Sequence, residues 1–284
     1  MTHEQLMAGD LHLHSSQSDG SMSANELLEL ISKISPAQPK LISITDHNAF
    51  SIYQVARRDN LLAIPGIELS ATEGDINIHL TAYFKEIDLI NPLSEYLDQI
   101  VAGYMLRARK IYEKIIQNDY KMPAFDSIRP SHLPEPVYVN NIFSAFSKAN
   151  GQSAFEQARK NNIFFVKEEN FLPKIKDIIN CVHSMNGLVF WAHPGTRFLL
   201  TNDDPYEKVL RLLISYGIDG IEAYYPKHTT EQTSRLISDA SMHNLLVSGG
   251  SDFHGTYGSA KNPWLVLAQE HCKAILSHLS VSMN

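Results

Sequence analysis

A chain of 284 residues suffices for one large α/β domain or two smaller ones. With 44% hydrophobic and 19% charged residues it has the balance of a soluble globular protein, and its formal net charge of −7 excludes a general positive surface for long nucleic acid. The two cysteines, Cys181 and Cys272, lack paired spacing and exclude a disulfide framework, and no apolar run approaches membrane-spanning length. The first residues lack the basic-then-apolar order of a signal peptide, so the expected location is the cytoplasm, with no membrane partner.

The first third alternates short β-rich runs with helical stretches. "LMAGDLHLH" reads as a strand and "SANELLELISKI" as a helix, with Ser23 and Glu26 at capping-box spacing. "KLISIT" reads as a buried strand, "YQVARR" as a short helix, then "LLAIPG" and "INIHLTAYF" as strands. Such alternation predicts parallel βα units in an open sheet or a barrel. After about Glu86 the pattern turns helical as far as Phe171, with loops rich in Pro and Asn. This predicts a helical insertion over 90–171 within a domain formed by 1–89 and 172–284. The alternation then resumes: "LPKIKDIINCVHSMN" is a helix, "GLVFWAH" a strand, "YEKVLRLLISYG" a helix and "IDGIEAYY" a strand. "TEQTSRLISDASMHN" is a helix, "LLVSGGSDFHG" a strand entering a turn, and a helix near "EHCKAILSHL" follows.

Unusual polar residues recur where these β-runs end. His12 and His14 end the first; being two apart on a strand, they share one face. Asp46 and His47 end "LISITDH", Glu68 follows "LLAIPG", and His79 lies within "INIHL". His193 ends "GLVFWAH", and Asp252 and His254 follow "LLVSGG". Catalytic groups gather at the C-terminal ends of parallel strands because those ends open on one face. Each residue alone admits a plainer reading. The His12–His14 pair also suits an exposed edge strand, His79 a core histidine, and Asp46 a helix cap. Asp19 before Gly20 also suits a plain turn. Together, polar groups on six strands predict a site.

These motifs, "DLHLHSSQSDG", "ITDHN", "PGIELSA", "IHLTAYF", "FWAHPG" and "SGGSDFHG", resemble in order those of the PHP (polymerase and histidinol phosphatase) superfamily. "GIDGIEAYYPKHTTEQT" and "IRPSH" resemble the branch that dephosphorylates nucleoside 3′,5′-bisphosphates and trims short RNA from its 5′ end. The resemblance implies an α/β fold, a distorted TIM-like barrel of about seven βα units with the helical insertion, enclosing up to three divalent metals. It implies a first metal on His12, His14, Glu68 and Asp252, and a second on Glu68, His79 and His193. A third falls to Asp19, His47 and His254, where Asp19 replaces the histidine of many relatives. The extra residues after Arg129-Pro130 also depart from the family pattern.

A mixed imidazole and carboxylate shell suits Mn²⁺, Fe²⁺ or Zn²⁺ better than Mg²⁺ or Ca²⁺. A bridging Glu68 implies two metals about 3.5–4 Å apart and a metal-bridged hydroxide as nucleophile, so phosphoester hydrolysis is the expected reaction. The expected catalytic residues are Glu68, Asp252 and Asp46, with Asp46 orienting a neighbouring imidazole or water. Arg129 and Arg197, with His132 and His228 behind them, are the candidates for substrate phosphate. The expected partner is a nucleotide bisphosphate or a short RNA end. The alternatives are a monophosphatase such as a histidinol-phosphate phosphatase, or a metal-binding module without catalysis.

Overall fold

The computed structural model describes residues 8–34, 38–128, 139–166, 172–198, 205–256, 263 and 267–282. The chain divides into two compact units, 1–94 with 174–284, and 95–173. Among the described residues no helix is long and apolar enough to cross a membrane.

The larger unit is a mixed α/β structure built on one eight-stranded sheet. Its strands are β1 (Ala8–Leu13), β2 (Lys40–Ile44), β3 (Ala56–Arg58), β4 (Leu61–Glu73), β5 (Ile76–Tyr83), β6 (Leu188–Trp191), β7 (Gly220–Tyr224) and β8 (Leu246–Gly249). The order is β1-β2-β4-β5-β6-β7-β8, with β3 against β4. Helix α1 (Ala24–Lys33) starts at the capping box read from the sequence: Ser23 Oγ accepts from the Glu26 amide at 3.3 Å, and the Glu26 carboxylate accepts from the Ser23 amide at 2.7 Å. Such a cap contributes about 1 kcal/mol. One turn apart, Leu27 and Ile31 are buried against Leu13, Ile42 and Ile44 of the sheet.

The sheet departs from uniform parallel βα units in two places. β5 runs antiparallel to both β4 and β6. Only Gly74, with φ +59°, and Asp75 link β4 to β5, and a link that short permits a hairpin but no crossover. The expected helix at "YQVARR" is instead strand β3, antiparallel to β4 through Arg57↔Leu62. Asp59, with φ 51°, and Asn60 turn the chain there, as residues tolerant of the left-handed region do.

Around the larger unit lie α5 (Ile175–Ser184), α6 (Pro205–Tyr216), α7 (Thr230–Met242) and α8 (Gln269–His278). The segment after β8 returns to the end of β1. Leu13 and Phe253 form a parallel bridge, the Asp252 amide donates to the His12 carbonyl at 2.8 Å, and the His14 amide to that of Phe253 at 3.0 Å.

The second unit contains most of α2 (Leu93–Gln117), then α3 (Val139–Asn150) and α4 (Gln152–Lys160). It has its own core, with Ile111, Ile115, Ile142 and Phe146 fully buried.

Backbone contact between β8 and β1 sets a strict size limit at Gly250. A Cβ there would lie 2.3 Å from the His12 Cβ and 2.4 Å from its amide nitrogen, neither of which a rotamer change can move. Gly250→Ala should therefore cost about 2–3 kcal/mol, as overpacked sites do, read as a lower denaturant midpoint at unchanged slope.

Candidate metal centre

Strand β1 supplies the floor. Asp10 and His12 lie within it and His14 directly after it, beyond a register shift against β2 between Asp10 and Leu13, and all three are fully buried. Glu68 lies in the middle of β4 and is 1% exposed, and His79 sits across the hairpin, where it pairs with Ser70. These two are not at strand ends. Because β5 is antiparallel, the β4–β5 hairpin projects past the end of β2, and the His47 backbone bridges to Glu68 there.

Five imidazoles surround the Glu68 carboxylate, and its two oxygens divide them. Oε2 lies 3.2 Å from His12 Nε2, 3.3 Å from His14 Nε2 and 3.0 Å from His47 Nδ1. Oε1 lies 2.8 Å from His79 Nδ1 and 3.0 Å from His193 Nε2. Asp252 Oδ1 adds a second carboxylate 3.2 Å from His14 Nε2. Toward solvent, Asp19 is 46% exposed and stands 3.2 Å from His254 Nε2 and 3.8 Å from His47 Nε2. The centre therefore has a dry floor at His12, His14 and Glu68, and a mouth at Asp19.

Burial disfavours charge throughout, yet the mutual field overrides it at most positions. His14 is desolvated, but its contacts with Asp252 and Glu68 outweigh this and hold its pKa up at about 10. His12 is likewise raised against its burial, by Glu222 and Glu68. Glu68 and Asp252 resist desolvation the opposite way, held far below the usual carboxylate range by the histidines around them. At His47 burial wins and lowers the pKa to about 4, despite Glu68 and Asp19 nearby. A field that favours protons on imidazoles favours any cation, and metal and proton compete for the same lone pairs.

The donor set fits divalent metals. His12 Nε2, both nitrogens of His14, Glu68 Oε2 and His79 Nδ1 are buried yet make no hydrogen bond of acceptable geometry. Such orphan atoms are costly unless an ion completes them. Among the described residues, four overlapping groups place one ligand atom per residue within 4.8 Å of one another: His12, His14 and Asp252; His12, Glu68 and His193; His47, Glu68 and His79; and His14, Asp19, His47 and His254. Every expected ligand is thus in one cluster, with His14 and His47 lying between the inner and outer groups.

Several residues hold this cluster without facing it. Asp46, expected to be catalytic, is instead saturated by the turn that carries Asp19. It accepts from the Ser15 amide at 2.7 Å and from the Ser15 and Ser18 hydroxyls at 2.6 Å, and it also bonds Ser51. Asp10 accepts from the Ser251 amide at 2.9 Å and its hydroxyl at 2.6 Å, which fixes the residue before Asp252. Tyr225 donates to Asp252 Oδ2 at 2.7 Å. Burial and the Asp252 carboxylate raise its pKa, so the phenol remains a donor.

The expected substrate residues fare differently. Both ring nitrogens of His228 are used by backbone: Nδ1 donates to the Ala223 carbonyl at 2.9 Å, and Nε2 accepts from the Gly195 amide at 3.1 Å. Burial lowers its pKa, consistent with that neutral tautomer. His228 therefore supports the turn after His193 and has no free nitrogen for substrate. Arg197 is exposed and bonds the Asn77 carbonyl, two residues before His79. Arg129 and His132 lie outside the described residues. Reading the sequence missed Tyr225, Asp10 and Glu222. Its only available signal was a polar residue on the inward face of an otherwise apolar strand.

No family model matches the chain. The phosphoribosyl 1,2-cyclic phosphate 1,2-diphosphodiesterase of Eggerthella lenta is 24% identical, over 89% of this chain and 96% of that protein. The 3′,5′-nucleoside bisphosphate phosphatase of Chromobacterium violaceum is 24% identical over 86% of each. The 5′-3′ exoribonuclease Rnm of Salmonella typhimurium is 24% identical over 92% of this chain and 88% of its own. The fold matches that of an amidohydrolase from Chromobacterium violaceum with a TM-score of 0.73 at 19% identity, covering 95% of this chain and 96% of the other. Over nearly its whole length the chain is thus similar to enzymes that cleave phosphate esters, a cyclic phosphate diphosphodiesterase, a nucleoside bisphosphate phosphatase and an exoribonuclease among them.

Proposed function

We propose that this protein is a metal-dependent phosphoesterase that hydrolyses terminal phosphoester bonds of nucleoside 3′,5′-bisphosphates or of short 5′-phosphorylated RNA. The observation that carries the reading is the division of Glu68: one oxygen faces His12, His14 and His47, the other His79 and His193. That is the disposition of a carboxylate shared between two ions. In this reading His12, His14, Glu68 and Asp252 would hold one ion, Glu68, His79 and His193 a second, and Asp19, His47 and His254 a third. The scaffold is read as a distorted (β/α)7 barrel, with 90–171 as its helical insertion. The Leu13–Phe253 bridge supports closure of that barrel.

These cluster residues would hold Mn²⁺, Fe²⁺ or Zn²⁺, which would supply Lewis-acid charge to offset that of a phosphate and to acidify water. The chain's own groups orient and desolvate. Glu68 and His14 form a floor closed to bulk water, where electrostatic contacts are strong. Tyr225 occupies Asp252 Oδ2 and so leaves Oδ1 turned to the histidines. Asp46 fixes the serine turn from which Asp19 reaches the mouth. Arg197, anchored beside β5, is the described cation proposed for a second phosphate. A cyclic phosphodiester is a second reading, favoured by the 96% coverage of the Eggerthella lenta diphosphodiesterase.

Hydrolysis by the Mn²⁺-loaded protein should be compared on adenosine 3′,5′-bisphosphate, AMP, histidinol phosphate, a 5′-phosphorylated short RNA and phosphoribosyl 1,2-cyclic phosphate. Preference for the bisphosphate or the RNA is expected. Preference for the cyclic ester would move the assignment to the second reading, and turnover of none would sink both. Glu68→Gln should remain folded but lose metal and nearly all turnover, and full activity in that variant would refute the shared-carboxylate arrangement. Tyr225→Phe should cost about 10–100-fold in metal affinity or kcat, the usual effect of removing a group that orients a ligand, and a metal titration would detect it.

A further inference from the structure

Three carboxylates beside the cluster, Asp10, Asp46 and Glu222, are fully buried. Asp10 and Asp46 bind serines and backbone. Glu222 differs, because it touches two candidate ligands from two separate elements. It lies in β7, where Oε1 is 2.9 Å from His12 Nδ1 and Oε2 accepts from the His193 amide at 2.7 Å. His12 comes from β1 and faces Glu68 Oε2, whereas His193 follows β6 and faces Glu68 Oε1. His193 also sits in the left-handed region at φ 31°, which a non-glycine residue keeps only when its surroundings impose it.

We infer that Glu222 is a positioning residue shared by both inner ions. It holds His12 as the Nδ1–H tautomer, so that Nε2 presents its lone pair to one ion, and it pins the backbone that aims His193 at the other. The inference rests on the phosphoesterase reading for its metals, and on the two Glu222 contacts alone for its geometry. A carboxylate suits both positions because each contact is a donor, the His12 Nδ1–H and the His193 N–H, and each oxygen can only accept. A glutamine of equal size has one acceptor oxygen for the two donors, so it keeps both contacts only by accepting from the His193 amide and donating to His12 Nδ1, which would put the His12 proton on Nε2 and remove the lone pair offered to the ion. The carboxylate also makes the His12 imidazole a stronger ligand, as carboxylates behind metal-bound histidines do.

The test is Glu222→Ala in the full chain, which removes both contacts at once, with binding of Mn²⁺ alone measured by equilibrium dialysis and metal analysis, normalised to folded protein. We expect affinity for both inner ions to fall about 10–100-fold together. Unchanged affinity, or loss confined to one ion, would overturn the shared role. If the variant fails to fold, the wild-type protein loaded with diamagnetic Zn²⁺ decides by long-range ¹H–¹⁵N NMR of His12. A protonated Nδ1 supports the inference, and a protonated Nε2 refutes it. Wild-type protein that binds no Mn²⁺ would instead sink the phosphoesterase reading and leave the Glu222 hydrogen bonds a matter of folding.

Discussion

One carboxylate with five imidazoles around it sets the terms for the rest of this molecule. Glu68 is almost wholly buried, and in a low-dielectric interior an isolated charge of that kind would be neutralised by a proton or expelled to solvent. Here β1, the loop after β2, β5 and the turn after β6 all bring a nitrogen within 3.3 Å of it. The histidines gain charge stabilisation from the carboxylate, and the carboxylate from them, so each member of the set lowers the cost of burying the others. The field that results is directed inward and suits multivalent cations.

Around that centre runs a layer of fixed acceptors. Asp46 gathers serines, Asp10 gathers Ser251, and Glu222 gathers His12 and the His193 backbone. The left-handed backbones of Asn48, His193 and Asp252 fall beside these anchors. Conformations that cost energy persist only where neighbours fix them, and here the fixing bonds are visible. The geometry of the centre thus comes from strand-end turns pinned by buried carboxylates, while the apolar packing beneath the sheet supplies bulk stability.

Much of this was legible in the sequence because the relevant rules are local. Two residues apart on a strand means one face, so His12 and His14 announced themselves, and Ser23 with Glu26 announced the start of α1. The ligands after β2, β6 and β8 were legible because a histidine or carboxylate that ends a buried apolar run adds nothing to packing. Glu222 was opaque, since a single acid inside "IEAYY" also fits an outward strand position. His228 and Asp46 were visible as polar residues, but their burden fell on backbone amides and serine hydroxyls that no spacing rule reveals. Direction was hidden as well. Nothing in "INIHLTAYF" distinguishes a strand entered by hairpin from one entered by crossover, and the Gly74 turn decided it.

The return of the chain after β8 to the edge of β1 has a consequence for how the protein comes into being. His12 and Asp252 meet across 240 positions of sequence, one of the most distant pairings the chain can make. Long closures of this kind are entropically slow and come late, after local helices and hairpins have formed. Until that closure is made, the histidine floor lacks its last carboxylate. A cation captured at that stage would act as a template, drawing the final strand to its register and rewarding the correct closure over a slipped one.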